Sequence, residues 1–341
     1  MSHFAAIIPA GKALLEIQEV KTPQPGPDEL LVKNEIIALI PIDAKLAKFG
    51  VFPIPYPAIL GTSFGGTVIS VGSAVTNFQV GDKVAAAKTA GATGDKYGAF
   101  QTRVIAREVT TSKLPQNVNL GGPVGLIGNL STVVGLFNVG AGLARPETNG
   151  PASAKGKKIL VYGGTSSFGS LAVQYLHQAG YDIVTTTSPK HKVFVSKLGA
   201  VQVVDHTQNP DALREALIAK GPYDLIVDSI SITRTIKVTS GVVAAQGGGK
   251  LYTLLPPSSA DIVAPGVTTE FASWSAALAE EKNAGLLHWA FGTYFPLAIA
   301  NNQLIPQPTQ AVDGGLGGLN EALDILSKGV SGVKVVVPLS E

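Results

Sequence analysis

KILVYGGTSSFGSLAVQYLHQAG, residues 158–180, is the stretch on which the fold turns. An apolar run ending at Tyr162 passes directly into Gly163 and Gly164, then Thr165, Ser166, Ser167, Phe168 and Gly169. A helical run follows in which Ala172, Leu176 and Ala179 share one face. Small residues belong where a chain turns tightly, approaches a pyrophosphate, or packs a helix closely on a strand. Unpaired amides at the start of the new helix then attract the anion. Against the pattern G-x-G-x-x-G, Gly164 and Gly169 take the first and third places and Ser166 stands in the middle. A strand before the loop, a helix after it and a second strand at the expected distance predict dinucleotide binding rather than a merely tight turn.

The second strand, YDIVTTT at 181–187, decides which dinucleotide. An acidic residue at its end would accept the ribose hydroxyls of NAD. The chain instead continues TTTSPKHK, offering Thr187, Ser188, Lys190, His191 and Lys192, which are donors and cations suited to a 2′-phosphate. NADPH is the expected cofactor. The same residues also suit an ordinary helix start, with Pro189 in the first turn and Ser188 as a cap.

Working outward, KILVY, YDIVTTT, VQVVD, YDLIVD and KLYTLL alternate with helix-like segments, the rhythm of a doubly wound parallel sheet. From Ala5 to about Asn119 the runs are short, β-rich and broken by Pro and Gly, which predicts a compact β-barrel-like domain. A polar connection at 144–158, with Pro146 and Pro151, precedes the first sheet strand, and a final helix and strand after about Thr293 break the rhythm. With 341 residues and 45% hydrophobic content, two domains are expected. Charge is balanced, 26 Lys and Arg against 24 Asp and Glu, without a run of like charges, so neither nucleic acid nor an anionic membrane is an expected partner. No uninterrupted apolar stretch approaches bilayer length and no secretory signal is evident, so a cytoplasmic protein is expected. The absence of Cys excludes disulfides and thiolate metal sites.

Four blocks, taken with the phosphate loop, resemble the medium-chain dehydrogenase/reductase superfamily over nearly the whole chain. YPAILGTSFGGTVISVGSAVTNFQVGDKV at 56–84 and YGAFQTRVIA at 97–106 are similar to its catalytic-domain framework. IGNLSTVVGLF at 127–137 resembles the segment joining its domains, LLPP at 254–257 the turn beside the nicotinamide, and SKGVSGVKVVVPL at 327–339 its closing helix and strand. YGGTSSFGSLAVQ and NVGAGLARP look most like fungal trans-acting enoyl reductases, with quinone-reductase-like enzymes sharing the framework. The resemblance implies an α/β chain in which a GroES-like β-barrel catalytic domain (1–126 and 293–341) encloses a Rossmann NADPH-binding domain (127–292), with the active site in a cleft.

The resemblance also implies chemistry. Zinc-dependent members use a Cys and a Gly-His-Glu phrase; here the phrase is Gly61, Thr62, Ser63, and His3, His177, His191, His206 and His288 show no paired metal spacing. No metal is expected. What remains is reduction of an activated carbon–carbon double bond, where the substrate carbonyl takes up the developing charge. The family's Asn-Pro-x-Asp-x-Lys motif reads here Ile40, Pro41, Ile42, Asp43, Ala44, Lys45. Lys45 falls on the functional Lys, Ile40 departs from Asn, and Ser131 falls where relatives place a Thr near the substrate carbonyl. Tyr56 is a further candidate acid. By position, His206 lies near the adenosine phosphate, Ser229 near the ribose, and Leu254 and Leu255 beside the nicotinamide through their backbone. Plainer readings are a surface cation for Lys45, a helix cap for Ser131 and packing against Pro55 and Pro57 for Tyr56.

An acyl thioester on a carrier protein is one expected substrate form, and a monomer or homodimer the expected assembly. Quinone reduction is the alternative reaction, and the unusual Ile40 motivates a catalytically silent NADPH-binding accessory protein. GTSFG at 61–65 matches the G-x-S-x-G hydrolase pattern, but a strand-like run follows it where that motif needs a helix.

Overall fold

The computed structural model describes residues 1–89, 91–150 and 152–339; of the connection at 144–158, Pro151 lies outside them. The first eight strands are β1 (Ser2–Ile8), β2 (Glu16–Lys21), β3 (Glu29–Ala38), β4 (Ala58–Ile59), β5 (Ser63–Val71), β6 (Lys83–Ala87), β7 (Arg103–Arg107) and β8 (Thr111–Lys113). Six follow: β9 (Lys158–Tyr162), β10 (Asp182–Thr187), β11 (Gln202–Asp205), β12 (Leu225–Asp228), β13 (Gly249–Thr253) and β14 (Val267–Phe271). β15 (Thr309–Ala311) and β16 (Lys334–Pro338) come last. The chain divides into two compact units, one of Met1–Val134 with the chain from Ser275 onward, the other Gly135–Trp274. The sequence reading drew these borders at 126/127 and 292/293; the compact units meet at 134/135 and 274/275.

In the first unit one sheet runs β15-β16-β3-β5-β6-β8, with β7 also pairing β3, and a smaller sheet runs β2-β1-β4. β3 is the pivot. Its ten residues hydrogen-bond to β5, β7 and β16, and Leu30, Val32 and Ile37 sit at 0% exposure within one core with Ile8, Val68, Phe100, Leu323 and Val337. The closing strand therefore returns to the N-terminal β domain, where VKVVVP pairs with β3 and β15 and its buried apolar residues join the core.

The second unit is a six-stranded sheet in the order β11-β10-β9-β12-β13-β14, every neighbouring pair parallel. Counted from β9, this is the 3-2-1-4-5-6 order of the doubly wound dinucleotide fold, with its switch point between β9 and β12. Strand burial is continuous rather than alternating in β10 and β12, as expected for a sheet covered on both faces. The helix Ser167–Gln178 buries every residue from Phe168 to Leu176, so it is enclosed rather than one-sided.

Two features escaped the sequence reading. β14, VTTEF, is a polar, partly exposed edge strand whose alternation carries no strong apolar signal. The helical stretch Gly121–Gly140 is long and apolar enough by composition to cross a membrane, and 78% of its window is buried inside the fold, as in a core helix. Its many glycines disguise its length as an apolar run.

Candidate active site

The loop after β9 is shaped by where its glycines cannot be replaced. Gly163 holds φ +92°, and a Cβ on Gly169 would lie 2.2 Å from the Gly163 carbonyl oxygen, so helix and strand touch through backbone alone. Ser166, the residue that broke the glycine pattern, has φ −69° and needs no glycine. It is the N-cap of the helix: its hydroxyl oxygen accepts from the Gly169 amide at 2.9 Å. Ser167 and Phe168 form the first two helical positions, whose amides have no intrahelical acceptor. Phe168 packs its ring 6.1 Å from that of Phe137, which orients this turn.

The loop is tied to its neighbours by hydroxyls. The Gly163 amide donates to Thr186 Oγ1 at 2.9 Å, and Gly164 donates to the Thr186 carbonyl at 2.9 Å. Thr165 and Thr187 hydroxyls lie 3.3 Å apart. Across the switch point, Ser229 donates to the Tyr162 carbonyl at 2.6 Å and meets the Ser166 hydroxyl at 2.9 Å. Ser229 is thus part of the loop's own scaffold.

At the ends of β10 and β11 the chain gathers cations. Ser188 precedes the short helical turn Pro189–His191 without capping it through its side chain, so the plain capping reading fails for that residue. Lys190 and Lys192 are exposed. Partial burial, with Lys190 and His206 as further cationic neighbours, holds the His191 imidazole below its ordinary range. The His206 amide donates to the Thr187 carbonyl at 3.1 Å, placing it beside the same strand end. Asp205, the nearby acid, spends its carboxylate on the Thr207 amide at 2.8 Å and hydroxyl at 2.7 Å. Beyond β13, Leu254 and Leu255 are half-buried, and the Leu254 amide is already given to Ser231 Oγ at 2.8 Å. Only its carbonyl is left for the backbone contact expected of it.

In the first unit, Lys45 begins the π-helical turn Lys45–Phe49 that continues the helix Pro41–Ala44. It is half-buried, and desolvation lowers its ammonium below the ordinary lysine range, so it is no freely solvated cation. Ser131 is buried inside the helix Leu130–Val134, not at its cap. The half-buried Tyr56 packs on the first unit's core, close to Gly11. A cavity of about 610 Å³ in this unit, bordered by Phe78, Leu114, Pro115, His288 and Leu297, includes none of these three residues.

The sequence reading names Asp43 only as a motif position and does not bring it together with Lys334. Asp43 is 1% exposed; it accepts from the Ile40 amide and from the Thr62 hydroxyl, each at 2.8 Å. Burial pushes its carboxyl up to about 6, opposed by the charges of Lys334 and Lys88. Lys334 on β16, 3% exposed, is pushed down to about 7 by burial, opposed by Asp43. The signal was available: Lys334 is the one charge in an apolar strand, and Asp43 stands three residues into a helix start. The hydroxyls of Thr62 and Ser63 are both committed within the protein. Ser63 Oγ donates to the Ala38 carbonyl at 2.8 Å from the first position of β5, with a strand rather than a helix after it, which rules out a nucleophile elbow. Among the described residues no group of three His, Asp or Glu side chains is arranged to hold a metal ion.

Residues 26–116 match the alcohol dehydrogenase GroES-like domain family. Over the whole chain, the protein is 31% identical to dehydrogenase azaJ of Aspergillus niger, covering 99% of both. It is 31% identical to trans-enoyl reductase himH of Aspergillus japonicus, covering 92% of this chain and 90% of that one. Its fold matches an alcohol dehydrogenase superfamily protein from Novosphingobium aromaticivorans with a TM-score of 0.77 at 20% identity, over 99% of this chain and 100% of the other. With the GroES-like framework, the doubly wound sheet and relatives aligned from end to end, the chain belongs to the medium-chain dehydrogenase/reductase superfamily of oxidoreductases.

Proposed function

We propose that this protein is an NADPH-dependent reductase of activated carbon–carbon double bonds, acting on enoyl or enone substrates without zinc. The observation that carries the reading is the pairing, on one side of the switch point, of a capped helix start with the ammonium of Lys190 and the imidazoles of His191 and His206. Gly163 and Gly169 let the helix start sit directly against the strand end, an arrangement that suits a pyrophosphate at the first-turn amides, and Lys190 with its neighbours suits a 2′-phosphate. The likeness to trans-enoyl reductase himH supports the substrate class, including acyl thioesters carried on a partner protein.

When bound, NADPH supplies the hydride for the β-carbon of the substrate. The chain's residues supply the rest. Ser166, Ser167 and Phe168 would hold the pyrophosphate at the helix start, and the carbonyl of Leu254 with Leu255 would hold the nicotinamide. Ser131 donates its hydroxyl to the carbonyl oxygen on which enolate charge develops, and Lys45 stabilises that charge. Tyr56 is the candidate donor of the proton that completes the α-carbon. Zinc is not needed, because the conjugated carbonyl itself withdraws the electrons that a Lewis acid would otherwise draw off.

The test is NADPH and NADH oxidation by purified protein, followed in the near ultraviolet, across enoyl thioesters, enones and quinones. Consumption of NADPH with enoyl or enone substrates is the expected result. Turnover of quinones alone would shift the acceptor class, binding without turnover would indicate an accessory protein, and no binding of either coenzyme would overturn the reading.

A further inference from the structure

The segment following β12 lends one hydroxyl to each neighbouring strand end. Ser229 serves β9, through Tyr162 at 2.6 Å and Ser166 at 2.9 Å. Ser231 serves β13: its oxygen accepts from the Leu254 amide at 2.8 Å while its proton goes to the Asp228 carbonyl at 2.6 Å. β12 and β13 are in register at Asp228 and Thr253, so Leu254 is the first residue beyond the ladder. Nothing in the sheet hydrogen bonding itself would fix it.

Ser231 is held in an unusual state to do this. Its φ is +56°, one of three non-glycine residues with positive φ among the described residues, and it is 4% exposed. A side chain in that region is costly and persists where the surroundings over-determine it. The surroundings here are the Asp228 carboxylate, fully buried, whose Oδ1 accepts from the Ile230 amide at 2.9 Å and the Ser231 amide at 2.8 Å. Thr239 Oγ1 lies 3.4 Å from the other oxygen. A buried acid thus bends the chain so that one serine hydroxyl reaches sideways to the end of the next strand.

In a doubly wound sheet one nucleoside lies over the strands on each side of the switch point. The cations at β10 and β11 mark the adenosine half, which leaves β12 and β13 beneath the nicotinamide half. We infer that Ser231, set by Asp228, is a positioning residue that fixes the Leu254 turn and thereby the nicotinamide end of the bound dinucleotide. This rests on the dinucleotide reading above and adds to it a residue that touches no reacting atom.

The experiment compares Ser231→Gly and Ser231→Ala with the parent protein, using calorimetry with NADPH and with 2′,5′-ADP, which carries only the adenosine half. Ser231→Gly relieves the positive φ while removing the hydroxyl, so its thermal midpoint should hold. Losing the hydroxyl's bond to Leu254 should weaken NADPH binding by about fivefold, with 2′,5′-ADP affinity within about twofold of the parent. Ser231→Ala should show the same split with a lowered midpoint. NADPH affinity in Ser231→Gly equal to the parent, or parallel losses for both ligands, would overturn the inference. A parent protein that binds neither ligand would instead defeat the dinucleotide reading itself.

Discussion

The side-chain oxygens of Ser166 and Ser229 stand 2.9 Å apart, joining the loop after β9 to the loop after β12 across the switch point. Ser166 caps its own helix with the same oxygen, so one atom serves both the anion-facing helix start and the seam between the two halves of the sheet. Ser166→Ala should therefore cost about 1 kcal/mol of stability through the lost cap, and Ser166→Gly only a few tenths. Both variants should still bind NADPH. Urea unfolding beside calorimetry measures the two effects separately, and equal stability losses for Ala and Gly would contradict the capping role.

Gly169→Ala tests the close approach. The added carbon would lie 2.2 Å from a backbone oxygen that cannot rotate away, so the helix must lift from β9 and displace the first-turn amides. NADPH binding should fall by at least about tenfold, with a lower melting temperature. A variant with parent-like affinity would show that the anion does not depend on this contact.

The cation cluster should set coenzyme preference. Lys190→Ala with His206→Ala is expected to lower NADPH affinity by about tenfold or more, since each charge-assisted hydrogen bond contributes about 1.5–3 kcal/mol, while NADH binding is nearly unchanged. Burial and cationic neighbours keep His191 below the ordinary imidazole range, so its charge arrives only as the solution becomes more acidic. Its contribution to the NADPH preference should accordingly grow as pH falls, most clearly at low salt. A pH-independent ratio of the two dissociation constants would exclude His191.

Lys45→Met should reduce kcat for an enoyl thioester by about a hundredfold or more while leaving NADPH affinity intact, as expected for a group that stabilises charge developing in the transition state. Because desolvation lowers the Lys45 ammonium, the parent's activity should decline on the alkaline side earlier than an ordinary lysine would dictate. Loss of coenzyme binding in this variant, with activity per bound coenzyme preserved, would remove Lys45 from the chemistry.

The buried Asp43 and Lys334 make opposite contributions to stability as pH changes. Asp43 holds its proton to about 6 when folded, against 3.8 when unfolded, so its contribution is full below pH 3.8 and is lost as pH rises through 6. Lys334 releases its proton at about 7 when folded, against 10.5, so its contribution is full above 10.5 and is lost as pH falls through 7. The pair should be least favourable between those two folded values. Lys334→Met removes a cation that opposes the upward shift of Asp43, so it should raise that carboxyl further, and its cost should be smaller in the double variant with Asp43→Asn. Unfolding curves from acid to alkaline pH would show this, and an additive double variant would contradict the coupling.

Residues 158–180 were decisive because each local requirement was written in adjacent residues: a buried strand, a positive-φ glycine, a cap and a closely packed helix. The doubly wound sheet and the grouping of Thr187, Lys190 and His191 were legible for the same reason. Where a role depends on residues distant in sequence, local pattern is silent. Ser231 reaches Leu254, and Asp43 is set against Lys334, only because strand pairing and helix packing bring those positions together. β14 was hidden because an edge strand needs few apolar residues.

By itself, then, the order of residues determined the alternation of strands and helices and the glycine-bearing turn after β9, since these follow from neighbours within a few residues. The tertiary structure decided which hydroxyls hold that turn in place, that Ser63 is spent on a backbone carbonyl, and that Asp43 and Lys334 are both buried. The reason is physical: a side chain's burial and its hydrogen-bond partner are properties of the space around it, and that space is assembled from segments far apart along the chain.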